Sequence, residues 1–191
     1  IFLSSLNGAQ YTEITGDNDC VISNSRYTSI NGFTLTTQDE FALEFEFPSS
    51  SYANGICTIN DVFTNASILV KNASLSISDS IIEGYIEFEM VRFNYNYAPF
   101  EYYYNFSNLI TNSIIAYTSS EGYDNYIHKA YFDIDNCSIN NMNLSYSAQN
   151  QNQAYHITNL SNSTIGSLGG FGGNEGLQQL ICNNTVFKIG R

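Results

Sequence analysis

The sequence predicts an all-β chain wound into a parallel coil, a solenoid of about seven rungs. Three observations carry that reading. A short phrase returns along the chain: an aliphatic residue, a spacer, an Asn or Asp, two small or polar residues, then an aliphatic again. It reads Ile77-Ser78-Asp79-Ser80-Ile81, Ile110-Thr111-Asn112-Ser113-Ile114 and Ile134-Asp135-Asn136-Cys137-Ser138-Ile139, then Leu160-Ser161-Asn162-Ser163-Thr164-Ile165 and Ile181-Cys182-Asn183-Asn184-Thr185-Val186. Strand formers (Ile, Phe, Tyr, Thr) are plentiful, while Ala, Lys and Arg are few. The copies recur with no helical segment between most of them, the last three steps being 24, 26 and 21 residues.

Taken in order, residues 1–19 form a turn-rich, capping lead-in with one short strand, and residues 20–191 form the coil. Weaker copies of the phrase start at Ile22 and Ile59, and Asn31-Gly32 marks a turn. Phe41 to Phe47 alternates with period two, a strand with one buried and one wet face, and Ile86 to Met90 repeats the alternation. An aromatic insertion follows near 94–106, with Tyr95, Tyr97, Tyr102, Tyr103 and Tyr104 as candidate partner or sugar contacts. The alternative is that alternate members of that block fill the coil. The Gly-rich stretch 169–176 reads as a flexible turn, and Leu177–Leu180 as one helical turn.

The phrase has a physical logic. Each turn of a coil contributes short strands whose aliphatics point inward and stack on the next turn, each burial contributing about 1.5–3 kcal/mol. Asn tolerates the left-handed backbone of a sharp corner, and its amide can bond to the Asn one turn above. Seven rungs at ~4.8 Å make a rod of about 35 Å.

Fuller rungs such as His156-Ile157-Thr158-Asn159 and Phe132-Asp133-Ile134-Asp135-Asn136 follow an aliphatic-x-aliphatic-x-Asn pattern. In this the chain resembles the right-handed parallel β-helices of the pectin-lyase-like superfamily over roughly residues 20–190. The resemblance implies a right-handed coil. It says little about activity, because that superfamily spans lyases, hydrolases, adhesins, tailspikes and structural surface proteins. Lyase-like members imply Ca²⁺-binding Asp residues beside a cationic base. Here Arg26, Lys71, Arg92 and Lys129 are scattered away from any Asp cluster at rung spacing. Galacturonase-like members imply paired Asp and a Gly-His-Gly signature. The two histidines, His128 and His156, stand in neither context. No catalytic set is assigned, and the expectation leans away from an enzyme.

Charge and cysteine usage set the context. The net charge is −12 with six Lys plus Arg, which disfavours nucleic acid and anionic membranes as partners. No apolar run is long enough for a membrane span. Four Cys and eight N-x-S/T sequons point to a secreted or extracellular surface setting with N-linked glycans, at Asn65, Asn72, Asn105, Asn136, Asn143, Asn159, Asn162 and Asn183. Asn136, Asn162 and Asn183 are also repeat residues, so a ladder role competes with a sugar there. Cys20 and Cys57 share a phase before Ile22 and Ile59, which predicts a disulfide between neighbouring turns. Cys137 and Cys182 are out of phase and stay open between strained pairing and packing. Glu44 and Glu46, Glu87 and Glu89, and Asp133 and Asp135 lie on outer faces. If stacked, they are candidate Ca²⁺ ligands; otherwise they are a solvated face that discourages edge aggregation. The function expected is a structural extracellular glycoprotein of a larger or self-assembling fibre or coat. The alternative is a polysaccharide-acting enzyme or a carbohydrate-binding adhesin module.

Overall fold

The computed structural model describes residues 1–17, 20–24, 27–47, 55–92, 100–120, 127–147, 153–169 and 176–188. In chain order the strands are β1 (Phe2–Ser4), β2 (Glu13–Thr15), β3 (Ile22–Asn24), β4 (Thr28–Thr36), β5 (Phe41–Glu46), β6 (Gly55–Thr64), β7 (Ser67–Lys71), β8 (Ala73–Ser78) and β9 (Ile81–Arg92). They continue as β10 (Phe100–Ser107), β11 (Ile110–Ser120), β12 (Ile127–Asp135), β13 (Ser138–Ser147), β14 (Gln153–Ser161), β15 (Thr164–Gly169), β16 (Gly176–Asn183) and β17 (Val186–Phe187). A single 3₁₀ turn covers Ala9–Tyr11 in the lead-in. All seventeen strands belong to one hydrogen-bonded sheet, and their pairings are parallel.

The pairings sort into three walls. The first stacks β1, the start of β4, most of β6, then β8, β10, β12, β14 and β16. The second, short wall stacks β2, the end of β4, the end of β6, the first residues of β9, β11, β13 and β15, and β17. The third stacks β3, β5, β7 and the long arms of β9, β11, β13 and β15. The chain is therefore a parallel β-solenoid.

The corner between the first and second walls carries the repeat. Asp61, Asp79, Asn108, Asn136, Asn162 and Asn184 all sit there with φ of 49° to 52°, and Gly32 has φ 79°. Only Gly, Asn and Asp visit this left-handed region cheaply, because a branched or bulky Cβ meets its own carbonyl. Just before the corner an inward column runs through Leu3, Ile30, Ile59, Ile77, Phe106, Ile134, Leu160 and Cys182. Just after it a small residue is often tucked inside. Ser80 donates to the Ser78 carbonyl (2.7 Å) and accepts from the Val62 N–H (3.1 Å). Ser163 repeats both bonds, to the Ser161 carbonyl (2.6 Å) and from the Cys137 N–H (3.0 Å).

Three details of register differ from the sequence reading. The rung before Ile134 is Phe106-Ser107-Asn108, not Ile110-Thr111-Asn112, since Ile134 opposes Phe106 and Ile110 opposes Ser138. A phenyl in the aliphatic slot disguised it. The last corner is Asn184 rather than Asn183, so Cys182 takes the inward slot. The early rung is Ile30-Asn31-Gly32; Ile22 opposes Leu43 on the third wall. Leu177–Leu180 lies inside β16, not in a helical turn, because the parallel neighbour β14 pairs it.

The interior is filled by stacked columns. On the third wall Phe45, Val70, Phe88, Ala116 and Leu144 oppose one another in turn, all buried, large beside small. On the first wall Cys57, Leu75, Tyr104 and Phe132 do the same. Where these columns meet, the Phe88 ring lies 4.1 Å from Tyr104 and 6.1 Å from Phe132, and Tyr104 lies 4.7 Å from Phe132. Aromatic pairs at such separations add about 0.5–1.5 kcal/mol to the burial itself.

Candidate functional site

The outward columns of the first wall hold six of the sequence-predicted site residues: Tyr103, Asn105, Asp133, Asp135, Asn159 and Asn183. Side chains alternate across a strand, so one column runs Tyr103, Tyr131, Ile157, and the Tyr103 N–H donates to the Ser74 hydroxyl (3.0 Å) at its start. The next runs Ser76, Asn105, Asp133, Asn159, and the third Ser78, Ser107, Asp135, Ser161, Asn183. Between them lies a trough of about 190 Å³ lined by Ser76, Asn105, Asp133, Asp135, Asn159 and Ser161.

Its polar groups bond from rung to rung. The Asn159 amide donates to Asp133 (2.5 Å), while the Ser161 hydroxyl (2.6 Å) and the Asn162 amide (2.9 Å) donate to Asp135. These two donors hold the Asp135 carboxyl below its ordinary range. At the corner the Asn108 amide donates to Asp79 (2.6 Å), Asn136 to Asn108 (2.6 Å) and Asn184 to Asn162 (2.8 Å). A second run links Asn60 to Asn31 (2.6 Å) and Ser78 to Asn60 (2.6 Å).

The aromatic block divides. Tyr102 and Tyr104 are buried in the coil and are not available to a partner or a sugar, which corrects the reading that grouped them with Tyr103. Strand alternation sends 102 and 104 inward because Tyr103, 47 % exposed, faces out. Tyr103 stacks on Tyr131 with ring centroids 5.0 Å apart and planes within 8°. Its hydroxyl donates to Glu101 (2.7 Å), which also accepts from Lys129 (3.1 Å). Those two donors lower the Glu101 carboxyl. Tyr131 escaped sequence reasoning, although the 28-residue step of the Asn108–Asn136 pair separates it from Tyr103. Tyr95 and Tyr97 lie outside the described residues.

The carboxylates do not form one ladder. Glu44 opposes Leu69 and Leu69 opposes Glu87; Glu46 opposes Lys71 and Lys71 opposes Glu89. The intervening β7 belongs to an 18-residue turn, shorter than the rest. Its Lys71 sits 3.3 Å from Glu89. Asp133 and Asp135 are on the first wall, whereas these four are on the third. Among the described residues no group of three or more His, Cys, Asp or Glu is gathered as a metal site. Burial, then Glu89 and Glu40, raise the Glu87 carboxyl, and Lys71 opposes them.

No disulfide joins the described cysteines. Cys20 precedes β3 on the third wall, whereas Cys57 points inward on the first wall between Thr28 and Leu75, so the predicted Cys20–Cys57 bond does not form. The shared phase misled because Ile22 and Ile59 are on different walls. Burial pushes the Cys57 thiol up to about 12 and Cys137 up to about 11, keeping both as inert packing thiols. Cys182 is exposed.

The eight sequons also separate. Asn72 is buried with φ 54° and donates to the Phe47 carbonyl (3.2 Å). Asn65 clasps the Thr37 backbone, donating to its carbonyl (3.0 Å) and accepting from its N–H (3.1 Å). Asn136, Asn159 and Asn162 are exposed but serve the ladders above; Asn105, Asn143 and Asn183 are exposed on outer columns. His128 and His156 fall in β12 and β14, each opposite an alanine.

A larger cleft of about 550 Å³ lies between the lead-in and the corner, lined by Asn7, Gln10, Phe63, Asp61 and Asp79 among others. Asp61 accepts from the Ala9 N–H at 3.2 Å. No helix among the described residues is long and apolar enough to cross a membrane. Compared with protein-family models, curated proteins and solved structures, the chain matches none.

Proposed function

We propose that the chain is a structural glycoprotein of an extracellular surface, its solenoid forming part of a larger or self-assembling fibre or coat. The observation that carries this reading is where the polar side chains are used. From Asp79 to Asn184 the corner amides and carboxylates bond to the neighbouring rung. Chemistry directed along the coil axis builds a rod. On the β16–β17 rung Leu180 and Phe187 continue the buried positions of Thr158 and Ile165 yet are exposed, an apolar face that suits contact with another copy in an assembly. The aliphatic-x-aliphatic-x-Asn rung favours grouping the coil with pectin-lyase-like solenoids.

A second reading has its own observation. The flat Tyr103–Tyr131 stack beside the amide-lined trough suits a sugar ring, with an aromatic platform and hydrogen-bonding groups side by side. It makes the chain a carbohydrate-binding or polysaccharide-acting module. Two measurements separate the readings. Electron microscopy of native material is expected to show rods or sheets built from the coil. Titration with acidic and neutral oligosaccharides, with and without Ca²⁺, is expected to show neither binding nor turnover. Dispersed single particles that cleave or bind an oligosaccharide, with binding lost in Tyr103→Ala, would overturn the structural reading.

A further inference from the structure

We propose that three of the eight sequons, Asn105, Asn143 and Asn183, carry the sugars, and that the other five are structural amides. This rests on the secretory reading above.

The sorting follows from what each carboxamide does. Glycosylation exchanges one Nδ2 hydrogen for a bond to the anomeric carbon of the first sugar. The donor is a lipid-linked oligosaccharide, whose lipid pyrophosphate leaves as the proton is lost from Nδ2. The product must then fit the folded surface. Asn72 fails on burial, and its Nδ2 already bonds the Phe47 carbonyl. Asn65 uses both of its polar atoms on Thr37. Asn162 uses both on its neighbours, donating to Asp135 and accepting from Asn184. Asn136 and Asn159 each donate at 2.6 and 2.5 Å into the adjacent rung. A sugar on any of these has to attach to an Nδ2 that already donates an inter-rung or backbone bond.

The remaining three differ in two independent respects. Each side chain is exposed, and none has a hydrogen-bond partner among the described residues. Each also has a small residue opposite it on one adjacent strand. Asn105 opposes Ser76, Asn143 opposes Gly169 and Asn183 opposes Ser161. Rungs are only ~4.8 Å apart, so a pyranose needs such a gap beside its attachment point. Around Gly169 even an added Cβ would meet nothing within 4 Å. A sugar on Asn105 stands over the trough, so its occupancy also counts against a sugar-binding role for that wall.

The test is a glycan map. The chain is sent through a eukaryotic secretory pathway behind a signal sequence. Glycans are removed enzymatically in heavy-oxygen water, and Asn-to-Asp conversions are located by peptide mass spectrometry. Label at Asn105, Asn143 and Asn183 and at no other sequon is expected. Label at any of the other five, or its absence from these three, overturns the assignment. Unglycosylated protein from a bacterial host gives a second readout. Asn→Gln at 105, 143 or 183 should leave Tm unchanged, whereas Asn→Gln at 72 or 162 should lower it by about 2–4 °C or more. Equal tolerance at all five of these positions also overturns the sorting. The intact mass of native material tests the secretory reading separately. A bare native chain alongside a host product labelled at these three sites refutes secretion and leaves the sorting standing.

Discussion

Replacing Asn136 tests the corner most sharply, because its backbone and side-chain contributions can be measured apart. Asn136 holds φ 52° and donates to Asn108 Oδ1 at 2.6 Å. Asn136→Ala leaves a Cβ in the left-handed region without the local polar side chain that lets Asn sit there cheaply, which costs up to about 1–2 kcal/mol. It also removes the amide bond, worth about 0.5–1.5 kcal/mol net, and Asn108 Oδ1 then turns to solvent. The expected loss is about 2–3 kcal/mol, or about 4–12 °C in Tm for a chain of this size. Asn136→Gly loses the same bond but sits in the left-handed region without strain, at a cost of about 0.4–1 kcal/mol in unfolded-chain entropy. Glycine should therefore be the better tolerated by about 1 kcal/mol. Urea unfolding of the three proteins, compared through their midpoints at unchanged m, measures this. If alanine costs nothing, or glycine costs as much as alanine, the corner argument is wrong.

Other perturbations reach the core and the outer wall. Phe88→Ala removes the ring that meets Tyr104, Phe106 and Phe132, and should cost about 3–5 kcal/mol in the same unfolding assay. Glu87 has a raised carboxyl, so folding disfavours its charged form above the ordinary pKa of 4.5. That penalty is present at neutral pH and is relieved as pH falls through the raised folded value. Glu87→Gln should therefore raise Tm at pH 7, with the gain vanishing below about pH 4. Thermal melts across that range check the sign.

Much of the coil was legible because its corner is a local backbone problem. Only Gly, Asn and Asp solve it cheaply, so Asp61, Asp79, Asn136 and Asn162 stand out in the sequence and stand at corners in the structure. Asn108 was missed because Phe106 replaces the aliphatic before it, while Ile110-Thr111-Asn112 imitates the phrase on the next wall. Asn183-Asn184 offers two adjacent candidates, and only pairing with Ser161 and Asn162 chooses between them. Phase along one strand also says nothing about which wall a strand joins. That is why Cys20 and Cys57 were paired in error, and why Lys71 was not foreseen between Glu46 and Glu89. For the aromatic block, period-two alternation was the available signal: it separates Tyr103 from Tyr102 and Tyr104 once the strand is accepted.

The register of the coil is tested most directly by engineered disulfides. Ser107 and Asp135 are opposed on adjacent strands of the first wall. Their Cα separation at strand spacing, ~4.8 Å, lies in the range a disulfide accepts. Ser107→Cys with Asp135→Cys should crosslink on mild oxidation, seen as a linked peptide by mass spectrometry. Thr111→Cys with Asp135→Cys, the pair that an alignment of Ile110 with Ile134 would oppose, should stay reduced, because Thr111 opposes Ile139 instead. Crosslinking of the second pair but not the first would contradict the solenoid described above.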